Sequence, residues 1–89
     1  MRRRTEGFED VCEISVPLAQ IRLSEKNRKR LRRDRGQIEE LRQAYERGED
    51  HPPIALLERV DGDFDIEDGR HRFLAAELAG IKVINARIV

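Results

Sequence analysis

Cysteine is almost absent from this chain of 89 residues, because Cys12 is its only thiol. A single cysteine excludes an internal disulfide and is typical of proteins from a reducing compartment. Long apolar runs are missing as well. No stretch approaches the roughly 20 residues of a membrane-spanning helix, and no signal-peptide pattern is present. We therefore expect a cytoplasmic protein without a membrane partner.

Net charge is also missing, because 18 basic residues balance 18 acidic ones. Attraction of the whole molecule to nucleic acid is thus not expected, but the charges are segregated along the chain. Acidic residues cluster between Asp61 and Asp68. The basic segment, residues 26–35, has two interpretations: a solvated loop or helix extension, and a contact surface for nucleic acid. Its cationic members are Lys26, Arg28, Lys29, Arg30, Arg32, Arg33 and Arg35.

The length and the 38% content of hydrophobic residues allow one small domain with a modest core. We predict a flexible basic tail at residues 1–10 and a single domain at residues 11–89. A core of this size is marginal, and we place the last strand at a sheet edge, where Val and Ile invite pairing. Both arguments favour a homodimer.

Periodicity and turn residues predict the elements. They indicate strands over residues 11–17, 54–60, 64–67 and 82–89, helices over 37–47 and 73–79, and a basic loop over 24–35. Asp61-Gly62 predicts a hairpin turn. Asp34 predicts a capping box at the first helix, and Gly48 and Gly80 predict left-handed helix ends. The fold class is therefore α+β, a small mixed sheet flanked by two main helices.

The main candidate site is the turn Asp68-Gly69-Arg70-His71-Arg72 between a strand and a helix. The first amides of a helix lack partners within it, and the helix dipole adds partial positive charge, so such an end can bind phosphate or carboxylate. Arginine forks well onto phosphate oxygens, whereas a cationic first turn without an anion is unfavourable. Two interpretations stand here, an anion site and a tight turn with solvated side chains. Asp68 is expected to cap the helix or to help hold Mg²⁺.

From about Val11 to Val89 the sequence resembles the family built on the ParB N-terminal domain and sulfiredoxin. The resemblance rests on Pro53-Ile54 at a strand start, on the Asp68–Arg72 turn followed by two alanines, and on a Gly80-capped helix before a Val/Ile strand. In ParB proteins the corresponding motif is Gly-Glu-Arg-Arg and holds the triphosphate of CTP. In sulfiredoxins it is Gly-Cys-His-Arg and holds ATP phosphates. In the related ADP-dependent serine kinases it resembles Asp-Gly-His-His-Arg.

Some positions of this chain depart from the family motifs. Gly69 and Arg72 match all three versions, and His71 matches the sulfiredoxin and kinase versions. Arg70 replaces the sulfiredoxin cysteine, so we expect no sulfinic-acid reductase activity, because a guanidinium is not a nucleophile. Asn27-Arg28 lacks the proline of the Asn-Pro-Arg box of ParB.

The resemblance implies a stand-alone nucleotide-binding domain, linked to DNA partition or mobile elements. It would hold the phosphates of ATP, ADP or CTP, with or without Mg²⁺, at Asp68, Gly69, Arg70, His71 and Arg72. Two alternatives stay open. One is a nuclease-type protein that binds DNA through the basic segment, although the sequence contains no evident metal-ligand constellation. The other is a phosphotransferase or NTPase related to the serine kinases, for which no catalytic base can be assigned.

Overall fold

A computed structural model describes residues 13–89. Short 3₁₀ turns at Leu18–Gln20 and Arg32–Asp34 connect some of the elements. The elements of this part of the chain are β1 (Glu13–Pro17), β2 (Ile21–Arg22), α1 (Glu25–Leu31), α2 (Arg35–Glu46), β3 (Ile54–Glu58), β4 (Phe64–Asp68), α3 (Arg70–Leu78) and β5 (Val83–Ile88). The α+β class with two main helices, α2 and α3, is confirmed. The predictions for residues 1–10 and for Cys12 lie outside the described residues.

The described strands form one mixed sheet in the order β1-β5-β3-β4-β2. β1 is antiparallel to β5 and β3 to β4, whereas β5 is parallel to β3 and β2 to β4. The prediction that the last strand is a sheet edge is wrong. After α3 the chain returns beyond β3, and β5 pairs with β3 on one side and β1 on the other. The strand β2 was not predicted, because two residues are too few to show the alternation of apolar and polar residues that indicates a strand.

The core lies between the sheet and helices α2 and α3. Phe73 of α3 and Ile54 and Leu56 of β3 are fully buried. Ala75 and Ala76 have no exposed surface, and their small size lets α3 pack closely on its neighbours. Within residues 13–89, no helix has the length and apolar character needed to span a membrane.

Both predicted glycine helix ends are confirmed. Gly80 has a φ of +80°, and the N–H of Ile81 donates to the carbonyl of Ala76 at 3.0 Å, the bond of a Schellman cap. Gly48 follows α2 with a φ of +77°. These glycines stop the helices and turn the chain back toward the sheet.

The basic segment is helical, so the prediction of a basic loop is wrong. Ser24 caps α1, because its Oγ accepts the N–H of Asn27 at 3.2 Å. Leu31 is buried, and Arg28 forms two hydrogen bonds of 2.7 and 3.1 Å with the carboxylate of Glu77 on α3. The sequence did not predict this helix, because a segment with one apolar residue shows no hydrophobic periodicity. The contacts that hold the helix in place are made with residues that are distant in the sequence.

The Asp61-Gly62 hairpin between β3 and β4 is confirmed. The N–H of Asp63 donates to the carboxylate of Asp61 at 3.0 Å and lowers the pKa of that carboxyl. Arg22 and Arg59 form ion pairs with the same carboxylate, at 3.1 and 3.3 Å. Part of the acidic cluster is therefore neutralised within the domain.

Candidate functional site

The head of α3 is formed where the chain changes from strand to helix at Gly69. β4 ends at Asp68, and Gly69 occupies the N-cap position of α3 with a φ of +109°. The N–H of Phe73 donates to the carbonyl of Gly69 at 2.9 Å, which closes the first helical turn. The amides before Phe73 have no acceptor within the helix and are directed out of its end.

Asp68 does not cap α3, so the expected capping role is wrong. The N-cap residue is Gly69, and α3 has no side-chain cap. The Asp68 side chain is 81% exposed, and its carboxylate lies 3.7 Å from Nη2 of Arg72. Asp68 precedes the N-cap by one residue, and its carboxylate instead faces a cation of the first helical turn.

A side chain at position 69 would collide with β3. An ideal Cβ on Gly69 would lie 2.5 Å from Cγ2 and 2.8 Å from Cβ of Ile54. Ile54 has no exposed surface and is held by the core, so it has little room to yield. Glycine therefore meets two separate requirements here, the positive φ and the direct contact between the turn and β3.

Arg70 and His71 extend from the turn to different partners. Arg70 is exposed and donates from Nη2 to the carbonyl of Ile66 at 3.1 Å. Nε2 of His71 lies 2.8 Å from Oδ2 of Asp34. Because an ionised carboxylate can only accept, Nε2 of His71 carries the proton in this bond.

Arg72 is more enclosed, with a side chain that is 20% exposed. Its Nη1 donates to the carbonyl of Pro52 at 2.6 Å and lies 3.4 Å from that of Pro53. Beside this segment, the ring centroids of Tyr45 and His51 lie 4.2 Å apart. Burial raises the pKa of Tyr45, and the positive charge of Arg72 reduces this increase. Arg72 thus ties the extended segment before β3 to the head of α3.

A groove of about 740 Å³ opens at the head of α3. One wall is the Asp68–Arg72 turn, all of which lines the groove. The other wall comes from α1, the following 3₁₀ turn and the start of α2. Its polar members are Asn27, Arg30, Arg33, Asp34 and Gln37. Part of the basic segment therefore faces the predicted phosphate-binding turn.

The rest of the basic segment points elsewhere. Arg28 is engaged by Glu77, and this hydrogen bond raises the pKa of Arg28. Arg32 and Arg35 line a separate groove of about 580 Å³ between α2 and α3. The lysines of the segment are exposed and line neither groove; they are Lys26 and Lys29. The seven cations predicted as one surface are thus divided among three environments: the groove at the head of α3 (Arg30 and Arg33), the second groove (Arg28, Arg32 and Arg35), and the exposed surface outside both (Lys26 and Lys29).

The sequence matches the family model of the ParB N-terminal domain over residues 3–89. The chain belongs to this family. This ParB N-terminal domain is similar in structure to sulfiredoxin from Arabidopsis thaliana, with a TM-score of 0.67 and 24% identity, over 88% of this chain and 84% of that chain.

A second solved structure with the same fold is the C-terminally truncated chromosome-partitioning protein ParB from Caulobacter crescentus, complexed with CTP-γ-S. The TM-score is 0.66 and the identity 18%, over 88% of this chain and 44% of that chain. No curated protein matches the sequence. The resemblance to ParB and sulfiredoxin is therefore confirmed, and at these identities the two structures establish the fold.

Asp34 lines the candidate site of this ParB N-terminal domain, and sequence reasoning missed it. It was expected to cap α2, and it does occupy the N-cap position, but its carboxylate contacts His71, 37 residues away. Arg30 and Arg33 were assigned to a nucleic-acid surface, whereas the structure places them in the groove at the head of α3. A signal did exist, because Asn27, Arg30, Asp34 and Gln37 recur at helical spacing and form a polar stripe.

Proposed function

We propose that the groove at the head of α3 binds the phosphate groups of a nucleotide. The first-turn amides of α3, which have no acceptor within the helix, open into a cleft whose opposite wall supplies Arg30 and Arg33. A volume of about 740 Å³ lies within the range of small-molecule sites. The ParB of Caulobacter crescentus, which has the same fold, was solved with CTP-γ-S, and this supports a nucleoside triphosphate as the ligand.

The groove residues have distinct roles in this proposal. Gly69 keeps the backbone amides close to the ligand, and Arg70 and His71 donate from the same wall. Arg30 and Arg33 donate from the opposite wall, so a chain of phosphates contacts both sides. The fifth member of the turn, Arg72, adds positive charge while its guanidinium remains on the carbonyl of Pro52.

Any Mg²⁺ would arrive with the nucleotide. Within residues 13–89, no three His, Cys, Asp or Glu side chains come close enough to hold a metal ion by themselves. The groove does contain oxygen atoms of Asn27, Asp34 and Asp68. Mg²⁺ is commonly held by one or two carboxylates together with substrate phosphates, so these residues fit a metal carried by a polyphosphate.

Isothermal titration calorimetry with CTP, ATP and ADP, each with and without Mg²⁺, tests the proposal. We expect at least one nucleotide to bind with a Kd below the millimolar range. Weaker binding of all three nucleotides would mean that the turn is structural.

Paired variants locate the binding site. Arg30→Gln/Arg33→Gln should weaken nucleotide binding by at least roughly ten- to a hundredfold, because one charge-assisted bond contributes about 1.5–3 kcal/mol. The matched control, Lys26→Gln/Lys29→Gln, removes the same charge from the same segment but outside the groove, and should change the Kd by less than about twofold. Equal effects of the two double variants would place the nucleotide elsewhere.

Binding of DNA is a second candidate function. Within residues 13–89, Lys26, Lys29, Arg32 and Arg35 are exposed and form no ion pair. Such cations are available for phosphates of a nucleic-acid backbone, and they lie outside the nucleotide groove. The two functions can therefore be separated by mutation.

A further inference from the structure

Asp34 occupies the N-cap position of α2, but its side chain makes no capping hydrogen bond to that helix. An N-cap aspartate ordinarily accepts the N–H of the second or third helical residue, which here are Gly36 and Gln37. Ser24 behaves in this way at α1, where its Oγ accepts the N–H of Asn27. The start of α2 therefore lacks the side-chain cap for which its sequence provides a suitable residue.

The carboxylate of Asp34 is instead held by His71. Oδ2 of Asp34 lies 2.8 Å from Nε2 of His71, and the two side chains are 49% and 35% exposed. An ion pair or hydrogen bond with this exposure contributes little stability and can be exchanged for another partner. Both residues line the groove, so Asp34 holds the donor of His71 that the proposed function assigns to a phosphate oxygen.

We propose that Asp34 is a competing internal anion that a phosphate of the ligand displaces from His71. The released carboxylate then accepts the N–H of Gly36 or Gln37 and caps α2, so ligand binding and helix capping are coupled. This inference rests on the proposed nucleotide site. It adds to that site a residue that lowers the affinity of every phosphate ligand, and a state of α2 that only the liganded protein adopts.

A polyphosphate can overcome the competition more readily than orthophosphate can. A single phosphate at His71 merely replaces one anion by another. A longer phosphate chain also reaches Arg30 and Arg33 on the opposite wall, and within residues 13–89 neither forms an ion pair. These additional charge-assisted bonds offset the displacement of Asp34. The class of ligand that this arrangement selects is a polyphosphate, and in a nucleotide this means the phosphate chain of a di- or triphosphate.

Calorimetry with CTP, tripolyphosphate and orthophosphate tests the competition. Asp34→Asn keeps a good N-cap residue but removes the charge that binds His71. We expect it to bind CTP and tripolyphosphate about three- to tenfold more tightly than the wild type, as for release of an exposed ion pair. Orthophosphate should gain by a similar factor, because each ligand has to displace the same carboxylate from His71. The control Glu40→Gln removes an exposed charge of α2 outside the groove and should leave the Kd within about twofold.

Hydrogen exchange tests the capping step. In the wild type, saturating CTP should slow exchange of the amides of Gly36 and Gln37, whereas Asp34→Ala should bind CTP without this change. If the wild type binds CTP and Asp34→Asn binds it equally well, the competition is wrong while the nucleotide site stands. If CTP binds but the two amides exchange as before, the capping step is wrong. If neither protein binds CTP, ATP, ADP or tripolyphosphate, the proposed function fails, and the inference fails with it.

Discussion

Gly69 combines two requirements that an L-residue meets poorly. Its φ is +109°, and the position of its missing Cβ is occupied by the side chain of Ile54. Gly62 at the hairpin tip has a similar φ of +90°, but an added Cβ there would meet nothing within 4 Å. A comparison of substitutions at these two glycines therefore separates the cost of backbone strain from the cost of steric contact.

Gly69→Ala should lower the free energy of unfolding by roughly 2–6 kcal/mol, because strain and overpacking each cost about 1–3 kcal/mol. Gly62→Ala is the matched control and should cost about 1 kcal/mol through strain alone. Urea unfolding followed by circular dichroism measures both. Equal losses would contradict the steric role of Ile54.

Arg72 has a structural role that its place in the motif does not reveal. The sequence alone predicts that Arg72→Ala weakens nucleotide binding and leaves the fold intact. Because its enclosed guanidinium binds the carbonyl of Pro52, we now expect a loss of about 1–2 kcal/mol in the free energy of unfolding as well. Arg33→Ala, an exposed groove residue, should weaken binding with a change in stability within about 0.5 kcal/mol. Thermal unfolding that leaves Arg72→Ala as stable as the wild type would contradict this role.

Among the elements, α1 shows how one short helix can serve several surfaces. Leu31 packs toward α2 and α3, Arg30 faces the groove, and Arg28 joins Glu77 of α3. Lys26 and Lys29 remain exposed. A helix of seven residues is too short to be stable alone, so these tertiary contacts hold it in place.

DNA binding by the basic segment is predicted to depend steeply on salt. With about five phosphate contacts, the logarithm of the affinity should fall with the logarithm of salt concentration with a slope of about −4.5. The quadruple variant at Lys26, Lys29, Arg32 and Arg35, each changed to Gln, should lose most DNA binding and retain nucleotide binding. Absence of a mobility shift at low salt would remove this function.

For the whole molecule, the homodimer remains a prediction from size alone. The edge argument no longer applies, because β5 lies between β1 and β3. A chain of 10.4 kDa still has a small core, for which association is a common source of stability. Light scattering at micromolar concentration should give twice the chain mass. A monomer mass under these conditions would contradict the prediction.

Much of the molecule was determined by the sequence itself, wherever the physical cause is local. The stripe of Ile38, Leu41 and Tyr45 predicted α2, Asp61-Gly62 predicted the hairpin, and Gly80 predicted the end of α3. The Asp68–Arg72 turn was likewise predicted as a strand-to-helix junction. These signals act through backbone φ, capping and periodicity over a few residues, so they can be read without knowing the fold.

The tertiary structure decided how distant residues meet. It placed β5 inside the sheet, folded part of the basic segment into α1, and turned Arg30 and Arg33 toward the Asp68–Arg72 turn. It also brought His71 within hydrogen-bond distance of Asp34, and Arg72 within hydrogen-bond distance of the carbonyl of Pro52. Each of these pairings joins residues from different elements, and packing of the whole core sets their distance. No local propensity encodes such a distance, because a side chain on the surface of a helix has no preferred partner until the neighbouring helix is in place.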